Sequence, residues 1–145
     1  MIKESTIEAL IGVAYIRTDF SHFFEVVADV KKKGVAVKVL MDSANTDLAV
    51  DQFFRNNGIE YRRASNYHSK MIIVDTKALV GSFNLTRNSA RFKSEAAVYC
   101  TAPQVVADLR EEFYRIWNSV NTKLTSRLRS YSHGGPTSVA ATSSS

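Results

Sequence analysis

A chain of 145 residues is of ordinary single-domain size and long enough to bury a core, and a composition of 45% hydrophobic and 23% charged residues is that of a soluble globular protein. The formal charge of +5 and pI near 9.4 favour anionic partners such as nucleic acid or acidic lipid headgroups. A single cysteine, Cys100, excludes an internal disulfide and a cysteine-based zinc site.

The longest apolar stretch near the N-terminus, Ala9 to Ile16, is too short and poorly flanked for a signal peptide or a membrane span, which points to a cytoplasmic protein. Ile7 to Ile16 is nearly continuous apolar sequence, as in a central strand buried on both faces, and Arg17, Thr18 and Asp19 form the loop after it. Phe20 to Lys33 follows with Phe20, Phe23, Phe24, Val26, Val27 and Val30 at helical spacing, and with Asp19 and Ser21 as candidate caps. Lys31 to Lys33 fall in its last turn, where cations complement the helix dipole, Gly34 ends it, and His22 lies on its polar side. Val35 to Met41 is a second strand with a polar exit at Asp42, Ser43, Ala44 and Asn45. Thr46 to Asn57 reads as a helix with Leu48, Val50, Phe53 and Phe54 inward and Gly58 as stop, and Ile59 to Arg62 reads as a third strand. Strand, helix, strand, helix, strand predicts a parallel sheet with crossover helices.

Met71 to Val74 and Ala78 to Val80 read as two strands of a β-hairpin. With Asp75, Thr76 and Lys77 as a three-residue loop, Val74 sits opposite Ala78, Lys70 faces Ser82, and His68 faces Asn84. Directly opposed residues of an antiparallel pair have Cβ atoms about 4.5–5.5 Å apart, so an imidazole, an ammonium, a hydroxyl and an amide converge at the open end. Asp75 lies on the other parity and at the far end of the strand, which assigns it to structure or orientation. The cluster suits a phosphodiester. Imidazole can attack phosphorus or pass a proton near neutrality, and Lys70 and Asn84 can offset charge on the non-bridging oxygens without a metal.

Arg87, Asn88, Arg91 and Lys93 form a polar loop beside this end, and Arg87, Arg91 and Lys93 are assigned to substrate backbone contacts. Ala96 to Thr101 is a further buried strand carrying the Cys100 thiol. From Pro103, a first helical position, Val105, Leu109, Phe113, Ile116, Trp117 and Val120 mark a long amphipathic helix, with Tyr114 and Trp117 as core or dimer-interface aromatics. The last stretch is rich in Ser, Thr and Gly, which divides the chain into a domain over 1–125 and a flexible tail over 126–145. No repeat, Gly-rich nucleotide loop, HExxH or carboxylate cluster stands in the sequence, so no cofactor and no metal is expected.

HSK at 68–70, Asp75 and GSFNLT at 81–86 together resemble the HxKxxxxD signature and its GSxN continuation in the phospholipase D superfamily, from about Thr6 to Trp117. The resemblance implies a mixed, mostly parallel central sheet flanked by helices on both faces. It also implies a metal-independent phosphodiesterase in which one histidine forms a phosphohistidine and a second protonates the leaving oxygen. This chain has one copy of the motif and so resembles the single-motif branch, which completes its site by homodimerising. On that resemblance His68, Lys70, Asp75, Ser82 and Asn84 form the catalytic set. Glu95, eleven residues after Asn84, takes the place of a glutamate bonded to the nucleophilic histidine.

The span from Asp75 to Gly81 is one residue shorter than the commonest family spacing, a difference placed in the loop at Thr76 and Lys77. Family domains also usually open with a strand and helix before the segment matching Ile7 to Ile16. With six residues ahead of it here, the expectation is a domain short of that edge strand and its covering helix. The activity expected is that of a nuclease on DNA or RNA. The alternatives are a hydrolase of cardiolipin-like membrane lipid and a non-catalytic nucleic-acid-binding fragment.

Overall fold

Runs of β-branched and aliphatic residues form strands, and the helically spaced runs form helices, in a computed structural model that describes residues 1–82 and 96–131, with side chains described as far as Val120. A 3-10 turn at Ile2–Glu4 leads into β1 (Glu8–Gly12), α1 (Ser21–Lys32), β2 (Ala36–Asp42), α2 (Leu48–Asn56) and β3 (Glu60–Ala64). Then come β4 (Met71–Val74), β5 (Lys77–Gly81), β6 (Ala97–Cys100) and α3 (Pro103–Tyr131). The expected tail begins within α3 and continues through residues 132–145, outside the described residues.

Among the described residues the sheet has the order β3-β2-β1-β4-β5-β6. β1, β2 and β3 are parallel, while the β1–β4, β4–β5 and β5–β6 pairings are antiparallel. Four strands therefore run one way and β4 and β6 return. The two-residue period of the central strands divides their side chains between two cores. Ala9, Ile11, Val39, Met41, Ile72 and Val74 pack with Phe24, Val27 and Val30 of α1 and with Val50 and Phe54 of α2. Leu10, Leu40, Met71, Ile73 and Ala78 meet Val106, Phe113 and Trp117 of α3 on the other face. Each fully buried aliphatic or aromatic side chain contributes about 1.5–3 kcal/mol, so the two layers rather than the loops hold the sheet. Trp117 is a core residue, and the Arg62 guanidinium stacks 4.1 Å from its ring and donates to its carbonyl (2.8 Å).

Several expectations need correction. β1 stops at Gly12 rather than Ile16, although Val13, Ala14 and Ile16 stay buried. Single backbone bonds from Val13 N–H to the Leu40 carbonyl and from Asp42 N–H to the Ala14 carbonyl hold that exit. The α1 N-cap is Phe20, with no side-chain cap. Leu48 is exposed rather than inward, because it opens α2 beside the Asp47 cap, whose carboxylate accepts from Ala49 N–H (3.1 Å). β6 is an edge strand with Val98 65% and Tyr99 55% exposed, and Cys100 is only half-buried, so the expected buried strand is not found. In α3 the helix phase sends Val106 into the core and leaves Val105 exposed.

The hairpin also closes more tightly than expected. Val74 pairs with Lys77, so the loop is Asp75-Thr76 and not three residues. Asp75 adopts a left-handed φ of 51°, which aspartate tolerates better than most residues. Its carboxylate accepts from the amides of Thr6 (3.0 Å), Ile7 (2.9 Å) and Glu8 (3.0 Å) and from the Thr6 hydroxyl (3.1 Å). Glu8 in turn accepts from Arg110 Nε (2.9 Å) and Tyr114 Oη (2.9 Å) of α3, and Arg110 also donates to the Asp75 carbonyl.

Burial pushes the Asp75 carboxyl upward, but the three amides and the Thr6 hydroxyl outweigh it and hold the group below the ordinary aspartate value. A depressed folded pKa stabilises the fold above the unfolded value of about 3.9, and that contribution disappears as pH falls through the folded value. Asp75→Asn, which keeps the left-handed tolerance, is expected to lower the unfolding free energy at pH 7 by about 1–2 kcal/mol, the scale of charge-assisted bonds partly open to water. Urea titrations at pH 7 and pH 3 check this: the gap between parent and variant should narrow at pH 3, and an equal gap at both would remove the carboxylate from the account.

Candidate active site

The strand directions collect one set of loops at a single end of the sheet. The carboxyl ends of β1, β2, β3 and β5 lie there together with the amino ends of β4 and β6. In open α/β sheets this is the end where ligands bind. His68, Ser69 and Lys70 occupy it on the approach to β4, and Ser82 occupies it as the chain leaves β5. Asp75 stands at the opposite end, in the hairpin turn, with its carboxylate engaged by β1.

The two-residue turn changes which groups face one another. The Gly81 amide donates to the Lys70 carbonyl (3.1 Å), so Lys70 lies across from Gly81 rather than Ser82, while the expected pairing of His68 with Asn84 lies outside the described residues. His68 is exposed and Lys70 half-buried; the Lys70 ammonium folds back to donate to the His68 carbonyl (2.9 Å). Ser82 is fixed to the start of β6: its amide donates to the Ala96 carbonyl (3.0 Å), and its Oγ accepts from Ala96 N–H (3.1 Å). Asn84, Arg87, Arg91, Lys93 and Glu95 lie outside the described residues, as does Asn88. The described part of the site is thus an exposed imidazole, an ammonium bonded to its backbone, and a hydroxyl at the β5–β6 junction. Among the described residues no group of three His, Cys, Asp or Glu side chains is arranged to hold a metal ion.

Three residues that spacing alone did not single out shape this end. Gly81 admits no side chain, since a Cβ there would stand 2.2 Å from the Ala96 carbonyl oxygen and 2.8 Å from Ala97 Cα. Gly12 is similarly closed, by the Tyr67 hydroxyl at 2.1 Å from a Cβ position. Tyr67, next to the histidine, is buried, and burial pushes its phenol well above the ordinary tyrosine value, so the hydroxyl stays protonated. A usable signal for Gly81 was its place between an apolar run and polar SFN, where close backbone approach calls for glycine.

The obstruction at Gly81 is backbone, which cannot rotate away. Gly81→Ala is expected to cost about 1–3 kcal/mol of stability and to shift Ser82 from Ala96. Chemical denaturation and hydrogen exchange at the Ala96 amide would check this, and unchanged stability with a protected Ala96 amide would contradict it.

The family model described as cardiolipin synthase, PLD-like domain, matches residues 1–117. Mitochondrial cardiolipin hydrolase from Chlamydomonas reinhardtii is 31% identical over 100 residues, covering 65% of this chain and 45% of that protein, so the chain spans less than half the length of this curated relative. Among solved structures, the phospholipase D family member Nuc from Salmonella typhimurium superposes with a TM-score of 0.72 at 31% identity, over 81% of this chain and 82% of that one. NucT from Helicobacter pylori superposes with a TM-score of 0.71 over 81% of this chain and 83% of that one. At 13% identity it speaks to the fold alone.

Proposed function

Because this chain belongs to the phospholipase D superfamily, we propose that it is a phosphodiesterase acting through His68, with nucleic acid as its substrate. The observation that supports this most is the exposed His68 imidazole at the carboxyl ends of β1, β2 and β3, on a backbone bonded to the Lys70 ammonium. In the proposed reaction an imidazole nitrogen attacks phosphorus, the bond to the leaving oxygen breaks, and a second imidazole donates the proton that oxygen needs. Water then attacks the phosphohistidine, passing its proton to the second imidazole, and restores the first.

One chain carries one such motif, so two copies each contribute a His68. Lys70, Ser82 and Asn84 hold the non-bridging oxygens, and Glu95 orients the imidazole. Asp75 serves the hairpin from the other end of β4. Arg87, Arg91 and Lys93 take the phosphates on either side, a role suited to the repeating charge of a nucleic-acid backbone and to the net charge of +5.

A second reading keeps the chemistry and changes the substrate. The curated relative is named a cardiolipin hydrolase, and a cardiolipin-like lipid presents the same phosphodiester.

In EDTA, the parent is expected to cleave fluorescent single- or double-stranded DNA, and His68→Ala to lose at least about a thousandfold in rate. Sedimentation should place the activity in a dimer. Activity in His68→Ala, or its loss on chelation, would overturn the proposal, and release of a soluble headgroup from cardiolipin liposomes without DNA cleavage would select the second reading.

A further inference from the structure

Asp42 ends β2 and is 7% exposed, yet it forms no ion pair among the described residues. A buried carboxylate without a cation is costly unless hydrogen bonds satisfy it. Here two main-chain donors do so. Asp42 Oδ2 accepts from Ala44 N–H (3.0 Å) in its own loop, and Oδ1 accepts from Tyr67 N–H (2.8 Å), which belongs to a different loop. The second bond joins the exit of β2 to the residue immediately before His68.

The chain from Ser65 to Lys70 has no strand partner of its own, so few bonds determine where His68 points. Its start contains a left-handed residue, Asn66 (φ 55°). Its end is fixed by Gly81 N–H on the Lys70 carbonyl (3.1 Å). Between them the Tyr67 ring is buried with Met71 and Leu10, its hydroxyl packed against Gly12 without a hydrogen-bond partner among the described residues. A ring buried in this way fixes position but leaves the peptide plane free to tilt. The Asp42 bond removes that freedom, and charge-assisted bonds to a carboxylate are shorter and stronger than neutral ones. The exposed imidazole therefore stands between two immobilised peptides.

We infer that Asp42 is a positioning residue for the phosphodiesterase reaction: its carboxylate clamps the Tyr67 amide and thereby sets the direction of attack of the His68 imidazole. The inference rests on the reading of His68 as nucleophile. Because a displacement of about 1 Å at a reacting group can cost a hundredfold, loss of the clamp falls on the chemical step rather than on substrate capture.

The test uses bis(4-nitrophenyl) phosphate, a phosphodiester neutral between nucleic acid and lipid, with the parent, His68→Ala, Asp42→Ala, Asp42→Asn and Asp47→Ala. Asp47→Ala removes the α2 cap and serves as a control for general destabilisation. Release of 4-nitrophenolate is followed in single turnover with enzyme in excess, which reads the attack on phosphorus directly, and half-saturation is read from its dependence on enzyme concentration. Asp42→Ala should lower the saturating single-turnover rate constant about 10- to 100-fold with the half-saturating concentration within threefold, and should raise the hydrogen-exchange rate of the Tyr67 amide. Asp42→Asn, which keeps one acceptor, should fall between Asp42→Ala and the parent, and Asp47→Ala should keep the parent single-turnover rate constant. If the parent and His68→Ala are equally active, or both inactive, the reading of His68 falls and the clamp with it. If the parent depends on His68 while Asp42→Ala keeps the parent single-turnover rate constant, raises only the half-saturating concentration, or leaves the Tyr67 amide protected, the clamp alone is wrong.

Discussion

The arrangement of this protein depends on one carboxylate meeting three consecutive amides. Asp75 binds the N–H groups of Thr6, Ile7 and Glu8, residues 69, 68 and 67 positions away in sequence. Without a partner those amides are the loose start of a strand; with Asp75 they set the β1–β4 register, in which Ala9 meets Val74 and Gly12 meets Met71. A one-residue slip would turn Ile72 and Val74 from the α1–α2 core toward α3. The left-handed Asp75 backbone and the Glu8–Arg110–Tyr114 contacts extend the same constraint to the turn and to α3. The cap is partly open to water, and its value lies less in its own energy than in the many apolar contacts whose pairing it decides.

That constraint separates the two ends of the sheet by role. At the Asp75 end, charges are consumed by backbone and by one another. At the other end, three parallel strands and the β4–β5 hairpin deliver loops, and there several side chains face outward: His68 is exposed, and Tyr15 and Arg17 are exposed in the loop after β1. Close approach acts there beside the Asp42 hydrogen bonds, because Gly12 and Gly81 leave room for a phenol and for the β6 backbone respectively. The glycine before Ser82 thus has a packing reason.

Much of this was readable from residue order. Apolar runs bounded by Gly, Asn and Asp yield β1, β2, α1 and α2 within a few residues, since period and breaker residues are local properties. What local pattern could not supply was the identity of neighbours. AAVYC has the composition of an interior strand, but whether a strand is interior depends on the elements beside it, and β6 is at the edge. Leu48 fits the helical spacing, yet its first-turn position turns it to solvent. The hairpin loop was misjudged by one residue because the tight turn is selected by Asp75's distant partners rather than by the turn itself. Asp42 read as a polar exit for the same reason: its partner, Tyr67, lies in another loop. His68, Lys70 and Ser82 stand at the carboxyl ends of the parallel strands, as their spacing suggests, while Asn84 and Glu95 lie outside the described residues.

The sheet order also has a consequence for assembly of the fold in time. β1 to β3 are joined by short crossovers and can associate as soon as they exist, but β1 sits in the middle of the sheet and its other neighbour is β4. Until the hairpin arrives, the edge of β1 presents unpaired backbone beside Leu10 and Ile11, two of the most deeply buried side chains of the finished protein. An apolar strand edge of that kind is what other chains add to. Closing it requires a contact between distant parts of the sequence, the class of contact that slows folding, so the hairpin is the step that covers the edge of β1.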